Sequence, residues 1–286
     1  MVLTGIIVKG IGGFYYVRCE DGEVRECKAR GIFRKNNIKP MIGDRVEIEV
    51  SHGTGNILKI GERRNCLVRP PVSNVDCIMI VAAAKNPDPD FLLIDKMLVT
   101  SEKKGIKPII CINKTDLDSA QEFVSIYEKT GYTTITASTY DDVGIDEEKA
   151  CLKGRVTAFA GLSGVGKSSI LNKLVEFGAE TGDISKINRG KHTTRHVELF
   201  ELDEGGFVFD TPGFSSFELG DIKPAELCGL FPEMRNSTGC RFKGCAHINE
   251  PDCGVKELVE NGGISRKRYE NYVEIYDILR QRKEWE

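Results

Sequence analysis

The chain lacks any apolar stretch approaching the roughly 20 residues that cross a bilayer. Its first residues also lack the charged-then-apolar pattern of a secretory leader. A membrane protein and an exported one are therefore not expected. A disulfide framework is missing as well: ten cysteines are scattered along 286 residues, and Cys77 and Cys111 fall inside apolar strand-like runs. That usage points to reduced thiols in the cytoplasm. Internal repeats and low-complexity segments are absent, which excludes a solenoid. Acidic residues barely outnumber basic ones, and the net charge of -3 hides an asymmetry. Residues 1–70 carry 13 Lys/Arg against 8 Asp/Glu, whereas residues 71–220 carry 16 against 23. A basic N-terminal module on an acidic remainder suggests a polyanionic partner.

What is present is 40% hydrophobic and 29% charged residues, enough for two or three packed domains. The chemistry begins at Gly161-Leu162-Ser163-Gly164-Val165-Gly166-Lys167-Ser168-Ser169, which fits G-x-x-x-x-G-K-[ST]. Glycines let backbone N–H groups curl around a phosphate. Lys167 is then expected at the β/γ oxygens and the Ser168 hydroxyl on Mg²⁺. The apolar run Arg155 to Ala160 reads as a strand before this loop, and Ser168 to Phe177 as a helix after it. A phosphate at such a helix start is favoured by the free N–H groups there.

Asn113-Lys114-Thr115-Asp116 is an N-K-x-D tetrapeptide at the end of the strand-like run Lys107 to Ile112. The Asp116 carboxylate can accept from guanine N1–H and its 2-amino group, a donor pair adenine lacks. Asn113 is expected to hold the loop and the purine edge, and the Lys114 stem to cover the ring. Ala137-Ser138, after the strand-like Tyr132 to Thr136, is either a further guanine contact or an ordinary turn. Val208 to Gly213 runs a strand into D-x-P-G, giving Asp210 for Mg²⁺ and the Gly213 N–H for the γ-phosphate. The polar stretch Arg189 to His196 lies between and is the expected switch. Thr194, ahead of Thr193, is the favoured Mg²⁺ ligand in it. Phe214 occupies the place where many GTPases carry a water-orienting glutamine. His192, and less so His196, is the candidate to take over that task.

The N-K-x-D motif precedes the phosphate loop, the reverse of the usual order, so the expected fold is a circularly permuted GTPase domain at 66–220. Strands and helices alternate through it, as a doubly wound α/β sheet requires. Residues 1–65 hold five short strand-like segments separated by turns, which suits an OB-type β-barrel. Phe14, Tyr15, Tyr16, Arg30, Phe33, Arg34 and Lys35 either supply the aromatics and basic groove of a nucleic-acid face or, with Phe14 and Tyr16 in the core, leave the charges solvated. Residues 221–286 are expected to be mainly helical and to bind zinc. Cys240, Cys245, His247 and Cys253 make a closed three-thiolate, one-imidazole set, typical of a structural site. Ser265 to Trp285 reads as an amphipathic helix whose start, Arg266-Lys267-Arg268, either touches phosphates or is solvated.

Together the permuted motif order, the loop Gly161 to Ser169, Gly182-Asp183-Ile184-Ser185, Gly190-Lys191-His192-Thr193-Thr194, Asp210-Thr211-Pro212-Gly213-Phe214 and the Cys-Cys-His-Cys tail resemble the RsgA (YjeQ) family of GTPases. The resemblance covers essentially the whole chain. It implies a monomeric, cytoplasmic GTPase that binds the small ribosomal subunit and its rRNA late in maturation. GTP would be hydrolysed there, with His192 assisting, and the protein would then be released. The alternative is a GTP-regulated RNA-binding scaffold with little turnover.

Overall fold

Alternating exposed and buried residues build five strands and one helix at the N-terminus: β1 (Val2–Ile11), β2 (Phe14–Cys19), β3 (Val24–Ala29), α1 (Gly31–Lys35), β4 (Arg45–Ser51) and β5 (Thr54–Ile60). The computed structural model describes residues 1–51, 54–67, 70–176, 197–202, 205–210, 219–220, 222–235 and 237–282. β1 pairs antiparallel with β2 and also with β4. β2 pairs with β3, β3 runs parallel to β5, and β5 returns antiparallel to β4. The ring closes in the order 1-2-3-5-4, the OB arrangement, and closure removes exposed edges. Ile7, Val17, Cys19, Cys27, Val46, Ile48 and Ile57 fill it.

The helix α1 was not legible in the sequence, and it revises one expectation. Phe33 sits on α1 with 8% exposure and plugs the barrel core, so it is not available to nucleic acid. Phe14, Tyr15 and Tyr16 are half-buried, and the Lys28 ammonium stands 5.0 Å from the Phe14 ring centroid.

The stretch Arg63 to Pro71, which reads as a linker, is tied down at its start. Arg63 forks onto the fully buried Asp44 at 2.7 and 2.8 Å, and Asp44 also accepts from Ser73 Oγ and the Met41 N–H. Gly43 makes the approach possible, since a Cβ there would collide with the Ser73 carbonyl. A two-residue pairing of β6 (Cys66–Leu67) with β7 (Val72–Ser73) follows.

Beyond it strands and helices alternate: β8 (Cys77–Ala83), α2 (Phe91–Lys103), β9 (Lys107–Asn113), α3 (Gln121–Tyr127), β10 (Thr133–Thr136), α4 (Ile145–Leu152), β11 (Val156–Ala160), α5 (Lys167–Glu176), β12 (Glu198–Glu201) and β13 (Phe207–Asp210). Every residue of β8 and of β11 is buried, as parallel strands covered on both faces require. The C-terminal part carries a 3₁₀ turn (Pro224–Leu230), α6 (Pro232–Arg235), α7 (Gly254–Glu260) and α8 (Arg266–Gln281).

By compactness the chain forms two units: residues 1–65 fall within one, 221–286 within the other, and 66–220 is divided between them. One comprises Met1–Cys77, Glu148–Phe159 and Ser168–Phe214. In it β11 runs parallel to β13, β13 is antiparallel to β12, and β12 reaches β1 of the barrel. The other comprises Ile78–Glu147, Ala160–Lys167 and Ser215–Glu286. There β8, β9 and β10 lie side by side, with β9 and β10 in parallel register. The C-terminal helices pack around Phe231, Met234, Val255, Tyr272, Ile275 and Leu279, and Val99 of α2 joins that core.

Arg268 on α8 corrects another expectation. It is 1% exposed, neither solvated nor free for phosphate. Its Nη1 donates to Asp95 of α2 at 2.5 Å and its Nε to Glu233 of α6 at 2.7 Å. Asn271 and Tyr127 donate to the same Asp95 carboxylate, and the guanidinium stacks 4.5 Å from the Phe231 centroid. Buried charge of this kind persists only where it is paired and hydrogen-bonded.

Candidate nucleotide site and metal cluster

The phosphate loop follows β11 and ends where α5 begins, so strand, loop and helix stand in the expected sequence. Gly161, Gly164 and Gly166 have φ of 134°, 82° and 100°, a region where a Cβ is strained. Two of them also permit close approach: a Cβ on Gly161 would strike the Val81 carbonyl, and one on Gly166 the Asn113 side-chain amide. Lys167 folds over the loop, its Nζ donating to the carbonyls of Gly161 at 2.8 Å and Leu162 at 2.5 Å. Partial burial lowers its pKa from the ordinary lysine value. Val165 is buried, whereas Ser163 and Gly164 are exposed; Ser168 and Ser169 offer exposed hydroxyls in the first turn of α5.

The N-K-x-D loop is fastened to this one. Asn113 is fully buried; its Nδ2 donates to the Val165 carbonyl at 2.9 Å, and its Oδ1 accepts from the Thr139 N–H at 3.3 Å. Lys114 turns the chain with φ 62° and donates to the Asn86 carbonyl. Thr115 binds the Ala137 carbonyl through both its N–H, at 3.1 Å, and its hydroxyl, at 3.0 Å. The Ser138 hydroxyl donates to Asp116 Oδ1 at 2.8 Å and lies 3.2 Å from Asp141 Oδ2. Ala137-Ser138 thus braces the carboxylate expected to select guanine. Thr139 and Asp141 were missed in the sequence, because the loop from Ser138 to Val143 has no motif of its own. Its two ends are pinned by paired backbone bonds between Ser138 and Val143.

β13 ends at Asp210, of which the strand position alone is described. Gly182 to Ser185, the stretch Arg189 to His196 with His192, Thr193 and Thr194, and Thr211 to Phe214 with Gly213 lie outside the described residues.

Cys240, Cys245, His247 and Cys253 converge, their ligand atoms all within 4.8 Å of one another. His247 Nδ1 stands 3.6 Å from Cys240 Sγ and 3.3 Å from Cys253 Sγ, and Cys245 Sγ is 3.8 Å from Cys253 Sγ. Around a tetrahedral ion with sulfur at about 2.3 Å and nitrogen at about 2.0–2.1 Å, donor atoms stand roughly 3.5–3.8 Å apart. The donor set therefore fits one such metal ion. Burial lowers the His247 pKa, which favours the neutral, ligating imidazole, and burial with the adjacent thiols pushes Cys245 up to about 12. Glu250 buttresses the loop, accepting from the N–H groups of Ala246, Ile248 and Asn249. Helix α8 adds Tyr269 and Tyr272, whose hydroxyls donate to the His247 and Ala246 carbonyls at 2.8 Å each. Gly254 is required here, since a Cβ would collide with the Thr238 carbonyl.

The chain is similar to known proteins over its whole length. Residues 60–220 match the model of the RsgA GTPase family and residues 4–57 that of the RsgA N-terminal domain. A small ribosomal subunit biogenesis GTPase RsgA from Ruminiclostridium cellulolyticum is 50% identical over 96% of this chain and 93% of its own. A protein of the same name from Agathobacter rectalis is 46% identical over 99% and 100%. Among solved structures, YjeQ from Thermotoga maritima has a TM-score of 0.87 at 40% identity, covering 99% of this chain and all of its own. YloQ, a circularly permuted GTPase, gives 0.85 at 39% over 99% and 96%. The fold is thus an N-terminal OB-type barrel, a circularly permuted P-loop GTPase domain and a mainly helical C-terminal part with the Cys₃His cluster.

Proposed function

The chain belongs to the RsgA GTPase family, and from that membership we propose that it binds the small ribosomal subunit late in maturation, hydrolyses GTP there and departs. It is a GTP hydrolase. The observation that carries the ribosomal assignment is the end-to-end likeness to relatives that bear that function in their names. The basic barrel module supports it, since rRNA is a polyanion.

In this reading 1–65 is the RNA-binding barrel, 66–220 the GTPase domain and 221–286 the zinc module. Asp116 selects guanine, with Asn113, Lys114 and Thr115 shaping the loop. The N–H groups of Gly161 to Ser169 cradle the phosphates, and Lys167 exchanges its carbonyl partners for the β/γ oxygens. Ser168, Asp210 and Thr194 form an all-oxygen donor set suited to a hard cation, Mg²⁺. Mg²⁺ would neutralise charge that develops on the phosphates. Gly213 holds the γ-phosphate, and His192 orients the attacking water in place of the missing glutamine. Cys240, Cys245, His247 and Cys253 hold one structural zinc. Among the described residues no helix is long and apolar enough to cross a membrane. From the family membership we further infer a monomer working in the cytoplasm.

The test is GTP hydrolysis with and without purified small ribosomal subunits, with large subunits and free RNA as controls. Stimulation by small subunits alone is expected, and His192→Ala should remove it while sparing GTP binding. A chain that binds GTP without any stimulated turnover would instead be the RNA-binding scaffold; Phe214 in the glutamine position favours slow hydrolysis without a partner.

A further inference from the structure

Within the unit that contains the barrel, strand pairing between the barrel and the GTPase strands is, among the described residues, one residue pair wide. β1 meets β12 in antiparallel register at Lys9↔Glu198, and β12 meets β13 at Glu198↔Asp210. A single row across three strands therefore runs Lys9, Glu198, Asp210. On the barrel side it continues to Tyr16, the β2 partner of Lys9. Side chains reinforce the row: Lys9 Nζ lies 3.0 Å from Glu198 Oε1 and 2.9 Å from Oε2. A second bridge, Arg18 Nη2 to Glu201 Oε2 at 2.7 Å, ties β2 to β12.

To either side the surfaces part. A cleft of about 570 Å³ is lined by Thr4, Arg45, Asp76 and Gly206. Another of about 520 Å³ is lined by Val8, Ile11, Val24 and Phe200. Among the described residues the two ion pairs are the charged contacts between β12 and the barrel, and they contribute to its registration. The far end of the row matters because Asp210 is the expected Mg²⁺ ligand, and Glu198 follows His196 by two residues in the sequence.

We propose that Lys9 and Glu198 couple docking at the barrel to GTP hydrolysis. They join β12 to the barrel, and the β12–β13 ladder continues the row to Asp210, so that RNA docked on the barrel raises turnover along this row, while the resting site does not depend on the pair. The inference rests on the ribosomal reading above. Its physical warrant is a contiguous chain of backbone ladders and ion pairs, since ladder hydrogen bonds fix strand separation and pass a shift of one strand to the next. Side chains about a third exposed make the link sensitive to salt.

The test uses the full-length chain, with turnover measured alone and with purified small ribosomal subunits. Lys9→Glu and Glu198→Lys should each keep the unstimulated kcat and the KM for GTP while losing about tenfold of the stimulated kcat. The double exchange, which restores opposite charges at the joint, should recover most of it. Melting curves check that each variant is folded; where a reversal unfolds, Glu198→Gln replaces it with the same expected loss. Single variants stimulated like the parent would overturn the proposal. So would a double exchange as impaired as Lys9→Glu alone, since Lys9 would then act on RNA directly. Absence of stimulation in the unaltered chain is a distinct outcome, and it would remove the ribosomal reading together with this inference.

Discussion

The side-chain amide of Asn113 donates to the backbone carbonyl of Val165 at 2.9 Å, across 52 residues of sequence. The N-K-x-D loop and the phosphate loop are thereby fastened together by a buried hydrogen bond.

Asn113→Ala should therefore weaken GTP and GDP in parallel. It leaves the buried Val165 carbonyl without its donor, a loss of about 1–3 kcal/mol, roughly 5- to 150-fold in affinity. Gly166→Ala, whose Cβ would strike the same amide, should act similarly, and the two changes together should cost less than their sum. Titration with fluorescent GDP and a non-hydrolysable GTP analogue checks this. A loss confined to GTP would contradict it.

Ser138→Ala removes the hydroxyl that holds Asp116 Oδ1 at 2.8 Å. The expected effect is about a tenfold rise in KM for GTP with kcat unchanged, because the base contact is the same in ground and transition states. Steady-state kinetics decide it, and a fall in kcat at saturating GTP would count against this role.

Metal analysis should give one zinc per chain, released on unfolding. Cys253→Ser should abolish stoichiometric zinc and lower the melting temperature by more than 10 °C, since a structural ion in a small module contributes several kcal/mol of folding energy. Cys253 and Tyr272 share the C-terminal hydrophobic core, so loosening one disturbs the other. Undiminished zinc in the variant would mean that Cys253 is not a ligand.

Arg268→Met strands the Asp95 carboxylate at 0% exposure, and removing one partner of a buried pair costs about 3–5 kcal/mol. Burial pushes Asp95 up, while Arg268, Asn271 and Tyr127 pull it down. Without Arg268 the folded carboxyl titrates above its unfolded value of about 3.9. A raised folded pKa contributes stability that is fully present below the unfolded pKa and is lost as pH rises through the folded one. The stability gap between parent and variant should consequently narrow on acidification toward pH 4. Urea unfolding at pH 4.5 and pH 7.5 measures it, and a gap that widens in acid would refute the assignment.

Several features were readable before any fold was known because their physics is local. The phosphate loop needs glycine where φ is positive, and Gly161, Gly164 and Gly166 take those angles. Cysteines and a histidine only a few residues apart converge because short loops leave them little choice. Five strand-like segments with turns between them close into a barrel, since alternation fixes which face is buried. The helix α1 escaped notice because five residues carry too little periodicity to register.

Long-range partners were a different matter. In the sequence Arg268 is one of three consecutive basic residues, which read as solvated or phosphate-binding. Tertiary packing gave it Asp95 and Glu233, 173 and 35 residues away, and buried it. Ser138 stood in a weak motif until packing placed its hydroxyl on Asp116. The same holds for Arg63 on Asp44 and for Lys9 on Glu198. Motif spacing and residue chemistry determined that this chain handles GTP and can hold a metal ion. Which charges are paired, and which strand of the barrel meets the GTPase sheet, was decided only by the folded chain, because a buried or bridging charge takes its partner from whatever packing brings within about 4 Å.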